Sequence, residues 1–159
     1  MNGKTISRNI FEMLVKHLVD IEELRGLTLN RYYPDITKER EMFENLLHSY
    51  TSMIEEFINS AKPTDNMVDD CPFIIIGSIV ELENLENGEV EIYQIVSPFT
   101  MSMHSDIDAA SFLSPMGREL ILKKKMDWVV IQNQTRQTRY VIKSINIADE
   151  LLVFIQKEG

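Results

Sequence analysis

Hydrophobic residues change their spacing once along this chain, near residue 66, and the change divides it into a helical part and a β-rich part. In the first part Phe11, Leu14, Leu18 and Ile21 step by three and four, the spacing of a and d positions in a coiled coil. Ile36, Phe43, Leu46, Tyr50, Met53 and Phe57 repeat the phase in a second arm, where Glu39 occupies one expected d position. No glycine or proline interrupts either arm until Gly26 in the first and Pro63 after the second. Each helix can therefore run for about 20 to 25 residues, or roughly 30 to 38 Å at 1.5 Å per residue. Two apolar stripes of this length must bury one another. Asn30, Tyr32, Tyr33 and Pro34 fall between them, and Asp35 offers an N-cap carboxylate to the next helix. The pattern predicts an antiparallel hairpin over residues 1–66 with its tip near 27–36. Continuing the first heptad places Arg25 and Thr28 in the seam, so the tip is expected to be the looser end.

Ala61 to Asp70 mixes Lys, Pro, Thr, Asn and Asp without period and reads as a linker into a second domain, residues 67–159. There Phe73 to Leu82 is β-branched and apolar, Glu89 to Val96 alternates, and Asn87-Gly88 between them is a strong hairpin signal. Trp128 to Gln132 and Thr138 to Asn146 form a second strand pair around the polar segment Asn133 to Gln137. Between the pairs, Ser114 before Pro115 makes an N-cap and N1 combination, and the pattern through Lys125 predicts a short helix. The apolar block Leu151 to Ile155 fits neither period. The fold class is α+β, a helical hairpin followed by an antiparallel β domain with one short helix.

Composition narrows the function classes. The chain has 159 residues and 44% hydrophobic content, enough for packed cores. Its net charge of −9 repels nucleic-acid backbones and anionic lipids, so neither autonomous DNA binding nor membrane binding is expected. The longest uncharged apolar run, Pro72 to Val80, is about half of what a membrane span needs. Met1 to Thr5 leads into a stretch carrying Glu12 and Asp20, unlike a signal peptide, and a cytosolic protein is expected. Cys71 is the only cysteine, which excludes an intrachain disulfide and a thiolate-rich metal site. Glycine-rich phosphate loops, nucleophile elbows and HExxH are missing, and His17, His48 and His104 are too dispersed to read as metal ligands. Ser114 has no His or Asp partner near it in the chain, so capping rather than nucleophilic chemistry is its expected role.

Three segments carry a resemblance. Gly77 to Leu82, Glu91 to Val96 and Phe112-Leu113-Ser114-Pro115-Met116-Gly117-Arg118-Glu119-Leu120-Ile121-Leu122-Lys123-Lys124, in this order and followed by two strands, resemble the C-terminal domain of the Gre transcript-cleavage factors. The resemblance covers Phe73 to Ile147, and the helical hairpin extends it to nearly the whole chain. It implies an FKBP-like domain that docks on bacterial RNA polymerase at the secondary channel through Ser114, Pro115, Met116 and Arg118, while the coiled coil reaches toward the active site. It implies no enzyme in its own right and no cofactor of its own. Two acids at the family's tip help hold a second Mg²⁺ of the polymerase and its water, so that backtracked RNA is hydrolysed, and the nascent RNA 3′ end is met only indirectly.

The matching tip here reads Asp35-Ile36-Thr37-Lys38-Glu39. Asp35 matches, and is the expected contributor to the shared Mg²⁺. Lys38 stands where the family has its second acid, and Glu39 lies about 100° further around a helix. Both arms look shorter than the family's by one to two turns. Cleavage stimulation and channel-blocking inhibition are therefore both expectations for this chain. An FKBP-like proline isomerase is a remoter one, since its pocket would have to come from Phe73, Tyr93, Phe99, Phe112, Trp128, Tyr140 and Phe154.

Overall fold

A computed structural model describes residues 4–97, 107–133 and 135–147. The expectations for His104, Phe99, Phe154 and the segment Ala148 to Gly159 lie outside the described residues. The chain divides into two compact units between Asp70 and Cys71.

The first unit runs β1 (Thr5–Ser7), α1 (Arg8–Tyr32), α2 (Lys38–Ser60) and β2 (Lys62–Thr64). Ser7 starts α1 by accepting the N–H of Ile10, and Thr37 starts α2 by accepting that of Arg40. The cap therefore falls on Thr37 and not on Asp35. The reason is that α1 continues through Gly26 to Tyr32, which moves the turn to residues 33–37 and leaves Asp35 inside it. A helical glycine costs about 1 kcal/mol relative to alanine, but burying Leu24 and Leu29 on either side contributes roughly 1.5–3 kcal/mol each.

Half of the expected seam holds, with Leu14, Ile21, Phe43 and Tyr50 buried, while Ile10, His17, Leu47 and Ile54 take the places expected for the neighbouring Phe11, Leu18, Leu46 and Met53. Ile10, Leu14, His17, Ile21, Leu24 and Thr28 are the buried a and d residues of α1, and Phe43, Leu47, Tyr50 and Ile54 those of α2. Phe11, Leu18 and Leu46 are half-buried flanks, Met53 is 55% exposed and Ile36, in the turn, is 95% exposed. Polar residues at the true positions disguised the phase. His17 is tolerated there because its Nε2 and the hydroxyl of Tyr50 are hydrogen-bonded at 2.7 Å, with the two rings edge to face.

The root of the hairpin is tied. β1 and β2 pair in parallel, Ile6 opposite Pro63, so Lys62–Thr64 of the expected linker is a strand. Arg8 reaches Asp65 at 2.7 Å and the Asn9 amide donates to Asp69. Hydrogen bonds from Ser7 and then Asn9 hold the Asp69 carboxyl below its ordinary range.

The second unit is a five-stranded sheet, β3 (Ser78–Asn84), β4 (Val90–Val96), β5 (Asp108–Ser111), β6 (Trp128–Asn133) and β7 (Arg136–Ile147), with α3 (Pro115–Leu120) before β6. The strand order is β5-β4-β3-β7-β6. Three pairings are antiparallel, but β5 lies parallel to β4, so the sheet is mixed where an all-antiparallel one was expected. The long connection 97–107 permits this, because a parallel neighbour needs the chain to return before pairing. The β3–β4 hairpin turns at Asn87-Gly88 as expected, Gly88 taking φ +77 and the Asn87 carboxamide oxygen accepting from Glu89 N–H.

Phe73 to Ile76 are buried but not a strand. Their tie to the unit is a local exchange in which Ile74 N–H donates to Lys123 O and Leu122 N–H to Ile74 O. With Val80, Leu82, Ile95, Phe112, Leu120 and Ile142, all fully buried, Ile74 to Ile76 make the core.

Ser114 caps α3 and Pro115 opens it, as the dipeptide predicts. The cap is crowded. A Cβ on Gly117 would lie 1.9 Å from the carbonyl oxygen of Ser111 and 2.8 Å from its carbon, backbone atoms that cannot swing aside.

Three outcomes are expected. Burial, and secondarily Lys16, lowers the His17 pKa from 6.5 to about 3. The unfolded chain therefore binds the proton first, and this contribution to stability is complete above pH 6.5 and is lost as pH falls toward 3, by up to about 1.4 kcal/mol per pH unit. Urea denaturation between pH 7 and 4 should show a shallower decline for His17→Leu/Tyr50→Phe than for wild type. Gly117→Ala should destabilise the second unit by about 1–3 kcal/mol through overpacking, and Ser114→Ala by about 1 kcal/mol through loss of the cap, both read from the urea midpoint.

Candidate functional site

Two surfaces hold the residues singled out in the sequence: the tip of the hairpin and the start of α3. At the tip, the connection 33–37 is pinned from inside. Arg40 Nη1 donates to Tyr33 O at 3.0 Å and to Pro34 O at 3.4 Å, and the Tyr33 ring packs on Phe43 with centroids 5.3 Å apart. One turn below, Arg25 from α1 and Glu44 from α2 pair at 3.1 Å across the hairpin, with Arg40 Nε 4.0 Å from the same carboxylate. The expectation of a loose tip assumed a seam that fades into Arg25 and Thr28. Instead Arg25 crosses the hairpin as an ion pair and Thr28 is buried.

Asp35 and Glu39 both stand out from this pinned turn. Each is exposed, and neither makes a hydrogen bond or ion pair among the described residues. Glu39 sits in the first turn of α2, where the helix dipole favours an anion. Lys38, the first residue of that helix, is exposed beside it, as is Arg31 in the last turn of α1.

The donor set suits a hard cation but does not complete a site. Carboxylate oxygens are what Mg²⁺ takes, yet it asks for six oxygen ligands and no group of three His, Cys, Asp or Glu side chains gathers among the described residues. The tip can lend one or two ligands to an ion whose other ligands come from elsewhere.

At α3, the four singled-out residues lie on one short stretch of backbone. The Ser114 hydroxyl donates to Ser111 O at 2.7 Å and accepts from Gly117 N–H at 3.0 Å. With both its donor and one acceptor direction used, Ser114 is a structural cap and not a nucleophile. Pro115 and Arg118 are exposed and Met116 is half-buried. The Ser114 cap thus presents a proline, a thioether and a guanidinium outward on a rigid turn.

Other clusters were not legible in the chain. Glu91 Oε1 accepts hydroxyls from Tyr93 at 2.8 Å and Tyr140 at 3.1 Å. Burial and then Glu91 push Tyr140 up to about 12, and burial raises Tyr93 as well. Tyr93 and Tyr140 thus serve a half-buried carboxylate, while Trp128 is 67% exposed and Phe112 fills the core, so they do not line a common apolar pocket. Only the strand register, which sets Glu91 opposite Leu82 and Tyr140 opposite Asn84, could have revealed the cluster. Of the described histidines, His17 is spent on Tyr50 and His48 is exposed.

The chain has relatives among known proteins. Residues 69–147 match the model of the C-terminal domain of the transcription elongation factors GreA/GreB. A transcription elongation factor GreA of Buchnera aphidicola is 28% identical over 142 residues, 83% of this chain and 80% of that protein. A GreA of Pelagibacter ubique is 38% identical over 72 residues, 45% of this chain and 44% of its own. Among solved structures, the GreA/GreB factor of Nitrosomonas europaea aligns with 92% of this chain and 99% of its own at 16% identity and a TM-score of 0.47. No helix among the described residues is long and apolar enough to cross a membrane. With a helical hairpin followed by a mixed sheet and one short helix, and with the family's domain over residues 69–147, this chain is a member of the GreA/GreB-like family of transcription elongation factors.

Proposed function

We propose that this protein is an accessory factor of bacterial RNA polymerase in the cytosol, entering the secondary channel with the hairpin tip foremost and acting on the polymerase active site through Asp35 and Glu39. The observation that carries this reading is the pair of exposed carboxylates, without internal partners, on a turn that Arg40 and the Arg25–Glu44 pair hold rigid. A side chain meant to reach into another protein's active site must not be spent on its own surface. Its carrier must also be stiff, because a misplacement of 1 Å can cost about 10²-fold in rate.

In this reading Asp35 supplies one carboxylate to the polymerase's second Mg²⁺, and Glu39 either joins it or orients the attacking water. Bound there, the ion would activate water for attack on the RNA phosphodiester. The protein needs no cofactor of its own and catalyses nothing alone. Its charge of −9 keeps it off DNA, and it meets the nascent RNA 3′ end only inside the polymerase. Ser114 holds the α3 turn while Pro115, Met116 and Arg118 make the polymerase contact.

Lys38 favours a second reading within the same class. A cation one residue from Glu39 opposes metal binding, and a factor that fills the channel without supplying ligands inhibits by occupancy.

A transcript-cleavage assay on stalled, backtracked elongation complexes separates the two. Cleavage by wild type that falls about 10²-fold in Asp35→Ala, with co-elution on core polymerase unchanged, supports the first reading. Slowed elongation without shortened RNA, insensitive to Asp35→Ala, supports the second. Loss of a guanidinium contact in Arg118→Ala should weaken co-elution with core polymerase by about tenfold without unfolding the protein, and wild-type protein that never co-elutes would end both readings.

A further inference from the structure

The two edges of the five-stranded sheet, β5 and β6, are built differently. β5 is four residues long and starts with Asp108, a short charged strand of the kind that discourages pairing. β6 runs for six residues, Trp128–Asn133, without a charge, a proline or a break in its register with β7. That register leaves one side of β6 open. Ile142 N–H donates to Asp127 O, so alternate residues from 127 onward bond to β7, and Trp128, Val130 and Gln132 turn their N–H and C=O groups outward. No described group bonds to them, α3 included, and all three residues are exposed, Trp128 at 67% and Val130 at 44%.

Charge is divided along the same unit. Cys71 to Phe112 holds seven acids and no lysine or arginine, whereas Leu113 to Ile147, the stretch of α3, β6 and β7, holds seven lysines and arginines and two acids. Three of those bases stand at the β6 edge without an ion pair among the described residues. Lys124 and Lys125 are exposed in the turn that leads into β6, and Arg139 is exposed on β7 directly opposite Val130. The turn is held in an unusual conformation, since Leu122 and Met126 on either side of the lysines take φ of 67 and 75, and the Asp127 carboxylate accepts the N–H of Lys124 at 2.8 Å. Trp128 and Val130 share one face of the strand, and Arg139 lies behind Val130 on that face at the strand spacing of about 4.8 Å.

We propose that the β6 edge takes an extended acidic segment of a partner protein as a sixth strand. Main-chain hydrogen bonds to Trp128, Val130 and Gln132 hold the segment, its apolar residues cover Trp128 and Val130, and its acids meet Lys124, Lys125 and Arg139. The charge pattern selects this occupant. A second copy paired antiparallel through the same edge would bring Lys124 and Lys125 of one chain toward Arg136 of the other, like charges that repel. A nucleic-acid strand would suit the bases but leave the row of outward N–H and C=O groups unused. The proposal uses neither the hairpin tip nor Ser114 to Arg118, and so is independent of the polymerase reading.

Trp128 is the only tryptophan in the protein, so its emission reports on this edge. The full chain should be titrated with a blocked decapeptide of alternating Glu and Val, with a Lys/Val decapeptide of the same alternation, and with decathymidylate. The Glu/Val peptide should give a saturable blue shift, and the Lys/Val peptide should bind at least about tenfold more weakly. Amide exchange should slow at Trp128, Val130 and Gln132, while Val129 and Ile131, already bonded to β7, keep their rates. Val130→Pro, which removes one outward N–H at an edge position where proline is tolerated, should abolish the shift, as should Lys124→Glu/Lys125→Glu/Arg139→Glu. Val130→Lys replaces the proline variant if circular dichroism shows it unfolded. No saturation by about 1 mM Glu/Val peptide overturns the proposal. So do equal binding of the two peptides, a shift without slower exchange at the outward amides, and decathymidylate binding as tight as that of the Glu/Val peptide. A blue shift that grows with protein concentration in the absence of peptide also overturns it, and makes a second copy of the chain the occupant.

Discussion

A hydrogen bond of 2.7 Å between His17 and Tyr50, closed off from water, sets the phase of the whole hairpin. Seam positions at steps of three and four have no register of their own, since one apolar pair slides past another at little cost. A buried polar pair does have one. Shifting either helix leaves an imidazole and a phenol without partners in a dry seam, a penalty of about 1–3 kcal/mol per group. Given that pairing, Ile10, Leu14, Ile21 and Leu24 must face inward with Phe43, Leu47 and Ile54, and Phe11 and Leu18 are pushed to the flank. The same constraint brings Arg25 and Glu44 level with one another, and so fixes where the turn begins.

The hairpin is thus held at three heights by three kinds of interaction. A parallel strand pair and the Arg8–Asp65 ion pair tie the root, the His17–Tyr50 bond locks the middle, and Arg40 staples the turn through two backbone carbonyls. None is strong alone, and the exposed ion pairs contribute little by themselves. Their placement is what matters, because it leaves the Asp35 and Glu39 carboxylates at the tip exposed and without a partner among the described residues. Within the second unit the same economy holds at α3, where Ser114 and Gly117 are consumed by the turn while Pro115 and Arg118 face outward.

Much of this was legible from spacing and local chemistry. Two helices of 25 and 23 residues, the Ser114-Pro115 start of α3 and the Asn87-Gly88 hairpin all follow from short-range signals, which act over four or five residues and therefore survive in a linear reading. Asp35 and Glu39 were legible as tip residues for the same reason. Asp35 was misread as a cap because the competing signal, Thr37, differs from it by two positions and only the length of α1 decides between them.

What the sequence by itself determined is the division into a helical and a β part, the acidic surface and the chemistry available at the tip and at α3, all properties of composition and short-range spacing. Only the tertiary structure decided the phase of the seam, the parallel seat of β5, the pinning of the tip by Arg40 and the place of β6 at the edge of the sheet. Each of these depends on partners far apart in the chain: His17 on Tyr50, Arg25 on Glu44, Ser78 on Ile147. A polar residue is an unfit core residue until its partner arrives, and no local pattern announces that arrival.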